Sequence, residues 1–313
     1  MITALLIIVA VVAIVAAGLV WFTARTAEKI EAALPPRGQF MNIHGRRIHF
    51  IDRGSGPAIV MIHGLGGNLQ HFDYALVERL AGEFRVIAVD RPGSGYSTRP
   101  RDASAALGAQ ALTLAGLIRT LKLEKPLLVG HSLGGALALT IALNHPDCAG
   151  ALALIAPLTH ARDEVPEVFR GLAIRSKLLR TIVGCTVATP LSILNRNKTL
   201  AAVFEPDAVP ADFATKGGAL LGLRPASFYA TSADLMAVND DLPATMQRYG
   251  SIAIPFGMLY GKGDQLLDYR EQGEATKQKC PALDLEVIDG GHMLLLTAPD
   301  ACVEMIRRVA ARR

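Results

Sequence analysis

The sequence predicts an α/β fold: a mostly parallel sheet with helices on both faces, interrupted by a helical insertion. Three observations predict it. Short, almost wholly apolar runs at 58–62, 85–89, 126–129 and 151–155 have the composition of strands buried on both faces. These runs alternate with helical stretches, a rhythm that requires parallel pairing through crossovers. Three of the runs end in Gly-rich loops, and in such sheets ligands bind beyond the carboxyl ends of the strands. With 313 residues, 51% of them hydrophobic, the chain can bury a large core of this kind. Its formal net charge of +4 is small for that size. Basic residues interleaved with aromatics are absent from the sequence, which argues against nucleic-acid binding.

Residues 2–22 form an apolar segment without a charge. Roughly 21 residues at about 1.5 Å each span about 31 Å, the thickness of the hydrocarbon core. Trp21 and Phe22 stand where an interfacial aromatic anchor belongs. The expectation is an uncleaved anchor over 1–22, with a cleaved signal peptide as the alternative. Against cleavage, no charged residues open the segment, and it is longer than the apolar region of a signal. Arg25, Lys29 and Arg37 follow it, and by the positive-inside rule they put the domain behind it in the cytoplasm.

Residues 23–37 read as a helical or mixed linker ended by Pro35-Pro36. A hairpin follows, with strands at 40–43 and 46–51 flanking His44-Gly45. The run at 58–62 delivers His63-Gly64-Leu65-Gly66-Gly67, and an amphipathic helix is expected over 71–80. The run at 85–89 leads into Asp90-Arg91-Pro92-Gly93-Ser94-Gly95-Tyr96-Ser97. Apolar periodicity predicts a helix over 104–121 with Ser104 as its N-cap. After 151–155 the alternation stops. Residues 158–249 hold helical segments at 168–183, 189–204 and 228–239, punctuated by prolines and without a strand. This cap of roughly 90 residues is too long for a plain loop. Strands resume at 252–260 and 283–288, and a helix over 299–312 closes the chain. The core is therefore expected in two parts, 38–157 and 250–313.

The stretch Val129-Gly130-His131-Ser132-Leu133-Gly134-Gly135 carries the chemistry. A serine between a buried strand and a helix sits in a strained turn with its hydroxyl pushed above the sheet, and the flanking glycines avoid collisions with neighbouring elements. The N–H of Leu133 opens the helix, where donors are unpaired and the dipole favours an anion. An acyl-transfer serine needs a base, and the base an orienting carboxylate, in the order Ser, acid, His. The strand at 252–260 ends at Gly261-Lys262-Gly263-Asp264, and the strand at 283–288 ends at Asp289-Gly290-Gly291-His292. Asp264 and His292 are thus the expected partners of Ser132, with Asp268 in reserve for the acid. Asp284 and Asp289 suit the role less, since their strand already delivers the histidine. His63, His131, Asp90 and Ser94 read as loop-fixing residues. Cys148, Cys185, Cys280 and Cys302 are scattered without zinc-like or disulfide-like spacing.

On these motifs the chain resembles an α/β-hydrolase with a helical cap, from about residue 38 to the C-terminus. The resemblance implies an eight-stranded, mostly parallel sheet. His63-Gly64-Leu65-Gly66-Gly67 resembles the family's oxyanion loop, which makes the N–H of Leu65 the partner of the N–H of Leu133. It also implies a triad of Ser132, His292 and Asp264. Dehalogenase and epoxide-hydrolase relatives carry Asp as nucleophile, so Ser at 132 disfavours alkyl-enzyme chemistry. The implied function is a membrane-anchored serine hydrolase acting on carboxylic esters. Lipid-like substrates, monoacylglycerols or medium- to long-chain esters, are expected, with small soluble esters as the alternative. Carbon–carbon bond hydrolysis and perhydrolysis are further chemistries on the same triad, and a non-catalytic ligand sensor is the reading from another class. No metal or organic cofactor is called for.

Overall fold

The computed structural model describes residues 1–162 and 164–313. Among them, eight strands form one sheet in the order β1-β2-β4-β3-β5-β6-β7-β8. The strands are β1 (Gln39–Ile43), β2 (Arg46–Arg53), β3 (Ala58–Ile62), β4 (Arg85–Val89), β5 (Leu127–His131), β6 (Ala151–Ile155), β7 (Phe256–Gly261) and β8 (Asp284–Ile288). The β1–β2 and β2–β4 pairs are antiparallel, and every pair from β4 to β8 is parallel.

The two-residue period of a strand explains the layers. Ile59 and Met61 of β3, with Val86 and Ala88 of β4, enter one core cluster; Val60, Ile62, Ile87 and Val89 enter the other. One cluster is covered by α4 (Leu107–Thr120) and α5 (Leu133–Asn144). The opposite one is covered by the short α2 (Gln70–Asp73) and α3 (Val77–Leu80), together with α11 (Leu294–Thr297) and α12 (Pro299–Ala310). Both faces of the central strands are therefore dry, which is why those strands carry no polar alternation.

Several boundaries differ from the sequence expectation. The single helix expected over 71–80 is two short ones separated by a turn. Ser104 does not cap α4: its Oγ accepts the N–H of Ala106, and the N–H of Gly108 is instead given to Asp241, 2.6 Å away. All four cysteines are free.

Helix α1 (Ile2–Ala33) is one unbroken element of 32 residues. Residues 1–18 are exposed all round, whereas Thr23 and Ile30 are buried. The stretch read as a linker is thus helical as far as Ala33 and packs on the insertion. Thr23 Oγ1 donates to the Thr186 carbonyl at 3.0 Å, and Glu31 pairs with Arg224 at 3.0 Å.

Between β6 and β7 lie α6 (Lys177–Cys185), α7 (Ala188–Leu194), α8 (Arg196–Phe204) and α9 (Pro225–Gln247). The helix expected over 168–183 begins only at Lys177, where Ser176 Oγ accepts the N–H of Leu179. The one expected over 189–204 breaks at Asn195, whose side-chain amide takes the Leu191 carbonyl. By contrast α9 runs well past the expected 228–239, with Pro225 in its first turn and Pro243 inside it. A short helix, α10 (Ala275–Lys279), separates β7 from β8.

Candidate active site

The carboxyl ends of β3, β5, β7 and β8 bring the expected residues to one cavity of about 1590 Å³, whose lining includes Leu65, Ser132, Leu133 and His292. Ser132 sits between β5 and α5 with φ 53° and ψ −122°, a left-handed backbone that a non-glycine residue adopts only under constraint. The constraint is close packing. A Cβ on Gly130 would lie 2.5 Å from the Gly134 carbonyl oxygen, and one on Gly134 would lie 2.0 Å from that of Ile62. Only glycine at both positions lets α5 begin directly against β3 and β5.

His292 follows β8, and its Nδ1 lies 2.7 Å from Asp264 Oδ2. The other carboxylate oxygen, Oδ1, accepts the N–H groups of Leu266 at 2.8 Å and Leu267 at 3.0 Å. Both partners of this pair are buried. Asp264 is thus fixed by its own loop and holds the imidazole by Nδ1, while Nε2 makes no hydrogen bond among the described residues. The reserve acid, Asp268, is exposed and accepts the N–H of Arg270 instead.

Leu133 is the first residue of α5, where an amide N–H has no intrahelical partner. The N–H of Leu65 donates to no other backbone carbonyl among the described residues. The loop bearing it runs close beneath the serine: a Cβ on Gly64 would lie 2.9 Å from Ser132 Cβ. Leu65, Leu133 and Ser132 all line the cavity.

Of the residues expected to fix loops, Asp90, His63 and His131 do so through their side chains, whereas Ser94 contributes only backbone hydrogen bonds with Arg91 and Ser97. The Asp90 carboxylate accepts the N–H of Leu69 at 2.7 Å and of Tyr96 at 2.8 Å, and lies 2.7 Å from His49 Nδ1. His63 Nε2 accepts the N–H of Arg91, and His131 Nε2 lies 3.1 Å from the carbonyl of His292. Burial pushes both imidazoles well below their ordinary pKa, so neither carries charge at neutral pH.

Sequence reasoning missed three groups. Arg91 is fully buried and donates from Nε to the His63 carbonyl and from Nη2 to the Gly64 carbonyl. Its Nη1 donates to Gln110 and to Asp234 of α9, which also takes Arg99. This network ties the Leu65 loop to the insertion. Asp207 likewise accepts the N–H of Gly291, next to His292, and the hydroxyl of Thr297. Arg180 of α6 lines the cavity while buried; it donates to Ser232 Oγ and the Ile174 carbonyl and meets no carboxylate among the described residues. An arginine beside the loop-fixing Asp90 was the one sequence signal available, and its partners lie up to 143 residues away.

Comparison with known proteins gives a consistent picture. A family model described as the alpha/beta hydrolase fold matches residues 57–299. An uncharacterised protein of Mycobacterium tuberculosis is 29% identical over 290 residues, covering 91% of this chain and 84% of that one. The 2-hydroxymuconate semialdehyde hydrolase of a Pseudomonas species is 35% identical over 139 residues, 42% of this chain and 49% of the relative. Among solved structures, a membrane phospholipase A superposes with a TM-score of 0.66 at 23% identity, over 99% of this chain and 97% of its own. A thermophilic esterase from Thermogutta terrifontis gives 0.70 at 24% identity, over 88% and 98%. With the sheet order, the strained serine turn and the match over most of its length, the chain belongs to the α/β-hydrolase fold family and is a hydrolase.

Proposed function

We propose that the protein is a membrane-anchored serine hydrolase that cleaves carboxylic esters of lipid-like substrates through an acyl-serine intermediate. The observation that carries it is the strained Ser132 turn facing the same cavity as the His292–Asp264 pair. Ser132 Oγ attacks the ester carbonyl while His292 Nε2 takes its proton, and Asp264 holds the Nδ1–H tautomer and stabilises the imidazolium. The amide N–H groups of Leu65 and Leu133 receive the tetrahedral oxyanion. The imidazolium then protonates the leaving alcohol. Water, deprotonated by His292, attacks the acyl-serine and frees the acid and Ser132. Every bond made or broken lies at the substrate carbonyl, and the reaction consumes one water.

Position supports the lipid-like substrate. Thr26 and Ile30 of α1 line the cavity, roughly 6 and 12 Å along the helix from Phe22, where the apolar segment ends. A pocket so close to a bilayer surface meets membrane-borne esters first. The solved membrane phospholipase A, similar along the whole chain including α1, is in keeping with this reading. The test is a series of p-nitrophenyl esters of rising chain length, with Ser132→Ala as control. Rates rising with chain length are expected, and a preference for acetate excludes the lipid version.

Carbon–carbon bond hydrolysis is the second reading, and Arg180 favours it. A buried guanidinium lining the cavity, without a carboxylate partner among the described residues, suits a substrate with an anionic group, as an enolised diketone has. Turnover of a vinylogous diketone acid, with no release of alcohol from any ester offered, would select it.

A further inference from the structure

The outer face of the insertion is built the wrong way round for a helix in water. On α6, Leu178, Leu179 and Ile182 are 71%, 50% and 51% exposed, while Arg180 and Gly184 face inward. On α7, Leu191 and Leu194 are 50% and 78% exposed. An ordinary surface helix buries its apolar stripe. Outside α1, eight large apolar side chains are exposed among the described residues, and five of them lie on these two consecutive helices. Scattered exposed leucines need no explanation, but a concentrated patch marks a surface that something covers.

Three observations identify the cover as lipid. The helices α6 and α7 are together apolar enough to enter a membrane, yet bent by 61° at their junction, so the pair does not pass straight through. Thr186, at that junction, accepts the hydroxyl of Thr23, one residue beyond the apolar segment of α1. The patch is therefore level with the point where α1 would leave a bilayer. Exposed basic side chains flank it, with Arg175 and Lys177 before the leucines of α6 and Arg196 after α7, while Lys198 beside them is paired with Glu167 at 2.6 Å. That charge pattern complements anionic headgroups and is the pattern of an interfacial element.

We infer that α6 and α7 form a second, interfacial membrane contact, with Leu178, Leu179, Ile182, Leu191 and Leu194 sunk into the acyl boundary of an anionic leaflet. This rests on the reading of α1 as an anchor. The same helices line the cavity through Val183, Ala188 and Ile193, and the half-exposed Leu191 belongs to both surfaces. Docking therefore opens the pocket onto the leaflet, and an acyl chain reaches Ser132 without crossing water.

Trp21 is the sole tryptophan, so fluorescence separates the two contacts. The full chain is reconstituted into phosphatidylcholine–phosphatidylglycerol vesicles carrying a shallow spin-labelled lipid. Wild-type Trp21 reports the anchor. Trp21→Phe with Leu178→Trp reports the patch, and Trp21→Phe with Leu112→Trp, on the exposed side of α4, is the reference. Quenching at least about threefold stronger at position 178 than at 112 is expected for side chains buried in the interface. Equal quenching at the two positions with Trp21 still quenched overturns the docking and leaves the anchor standing. A Trp at 178 that becomes shielded as the protein-to-lipid ratio rises marks a second copy of the chain as the cover and also overturns it.

The triple change Leu178→Ser, Leu179→Ser, Ile182→Ser tests the consequence, since none of these residues lines the cavity. Hydrolysis of a vesicle-borne ester should fall about tenfold or more while that of a soluble short-chain ester is unchanged. Equal rates on vesicles sink the inference. A wild-type chain inactive on every ester sinks the ester reading instead, and the quenching result still stands on its own.

Discussion

The loops behind β3, β5, β7 and β8 and the insertion between β6 and β7 face one cavity from opposite sides, and they are held in place by different means. The loop side is pinned to the sheet. Ser132 is locked by backbone packed against two glycines, Asp264 by the N–H groups of its own loop, and His131 by the carbonyl of His292. The insertion's buried Phe204, Phe213 and Leu242 join the core clusters on the sheet, and its outer leucines are exposed. It is joined to the loop side at a few buried polar points, chiefly Asp234 on Arg91 and Arg99, and Asp207 on Gly291 and Thr297. The groups proposed to react are fixed by short-range geometry, whereas the insertion, proposed to select substrate, is docked by long-range pairs. The first arrangement holds those groups directly, and the second reaches them only where Arg91 and Asp207 touch their loops.

This contrast can be broken in order of effect. Ser132→Ala should lower kcat by about 10⁴-fold or more with stability unchanged, as followed by ester turnover and a thermal melt. Asp264→Asn should cost about 10³- to 10⁴-fold in kcat by favouring the wrong tautomer of His292, again without unfolding. Asp234→Ala acts across the divide. It strands the buried Arg91 and Arg99 guanidinium groups at about 3–5 kcal/mol, lowering Tm by roughly 10 °C. Because Arg91 also holds the carbonyls of His63 and Gly64, kcat should fall more than KM rises; a change in KM alone would show that the insertion does not position the Leu65 loop. Asp207→Ala removes two hydrogen bonds and should cost about 1–3 kcal/mol of stability, read by denaturant titration.

The smallest expected effect is on pH dependence. His63 and His131 are held unprotonated by burial in the folded state, while the unfolded chain takes up protons below about pH 6.5. Their depressed folded pKa makes stability fall as pH drops below about 6.5, and His63→Gln should flatten that fall. A pH-independent denaturation midpoint between about pH 7 and pH 5 would show that these two imidazoles are not the buried neutral groups described.

How much was legible follows the same divide. Almost wholly apolar runs left β3 to β6 no alternative environment, and strand order then placed Asp264 and His292 at loop ends by position alone. The insertion obeyed no such rule. Its helices begin and end where Ser176 and Asn195 compete for backbone groups, and a one-residue competition leaves little mark on periodicity. The start of α4 was misplaced for a related reason, because Asp241, 133 residues away, satisfies Gly108 where a local cap was expected. Arg91, Asp207 and Asp234 act through partners that only the folded chain brings together.

The continuity of α1 has a mechanical consequence. An enzyme on a flexible tether samples every orientation its linker allows. Here the same rigid rod that carries the apolar segment is bolted to the insertion through Thr23 and Glu31 and to the core through the Leu34 carbonyl, which accepts the hydroxyl of Tyr96. In a bilayer, tilt of that rod follows hydrocarbon thickness. On the proposed reading of the apolar segment as an anchor, a thinner leaflet would swing the whole body like a lever, and turnover of membrane-borne esters would vary with bilayer thickness.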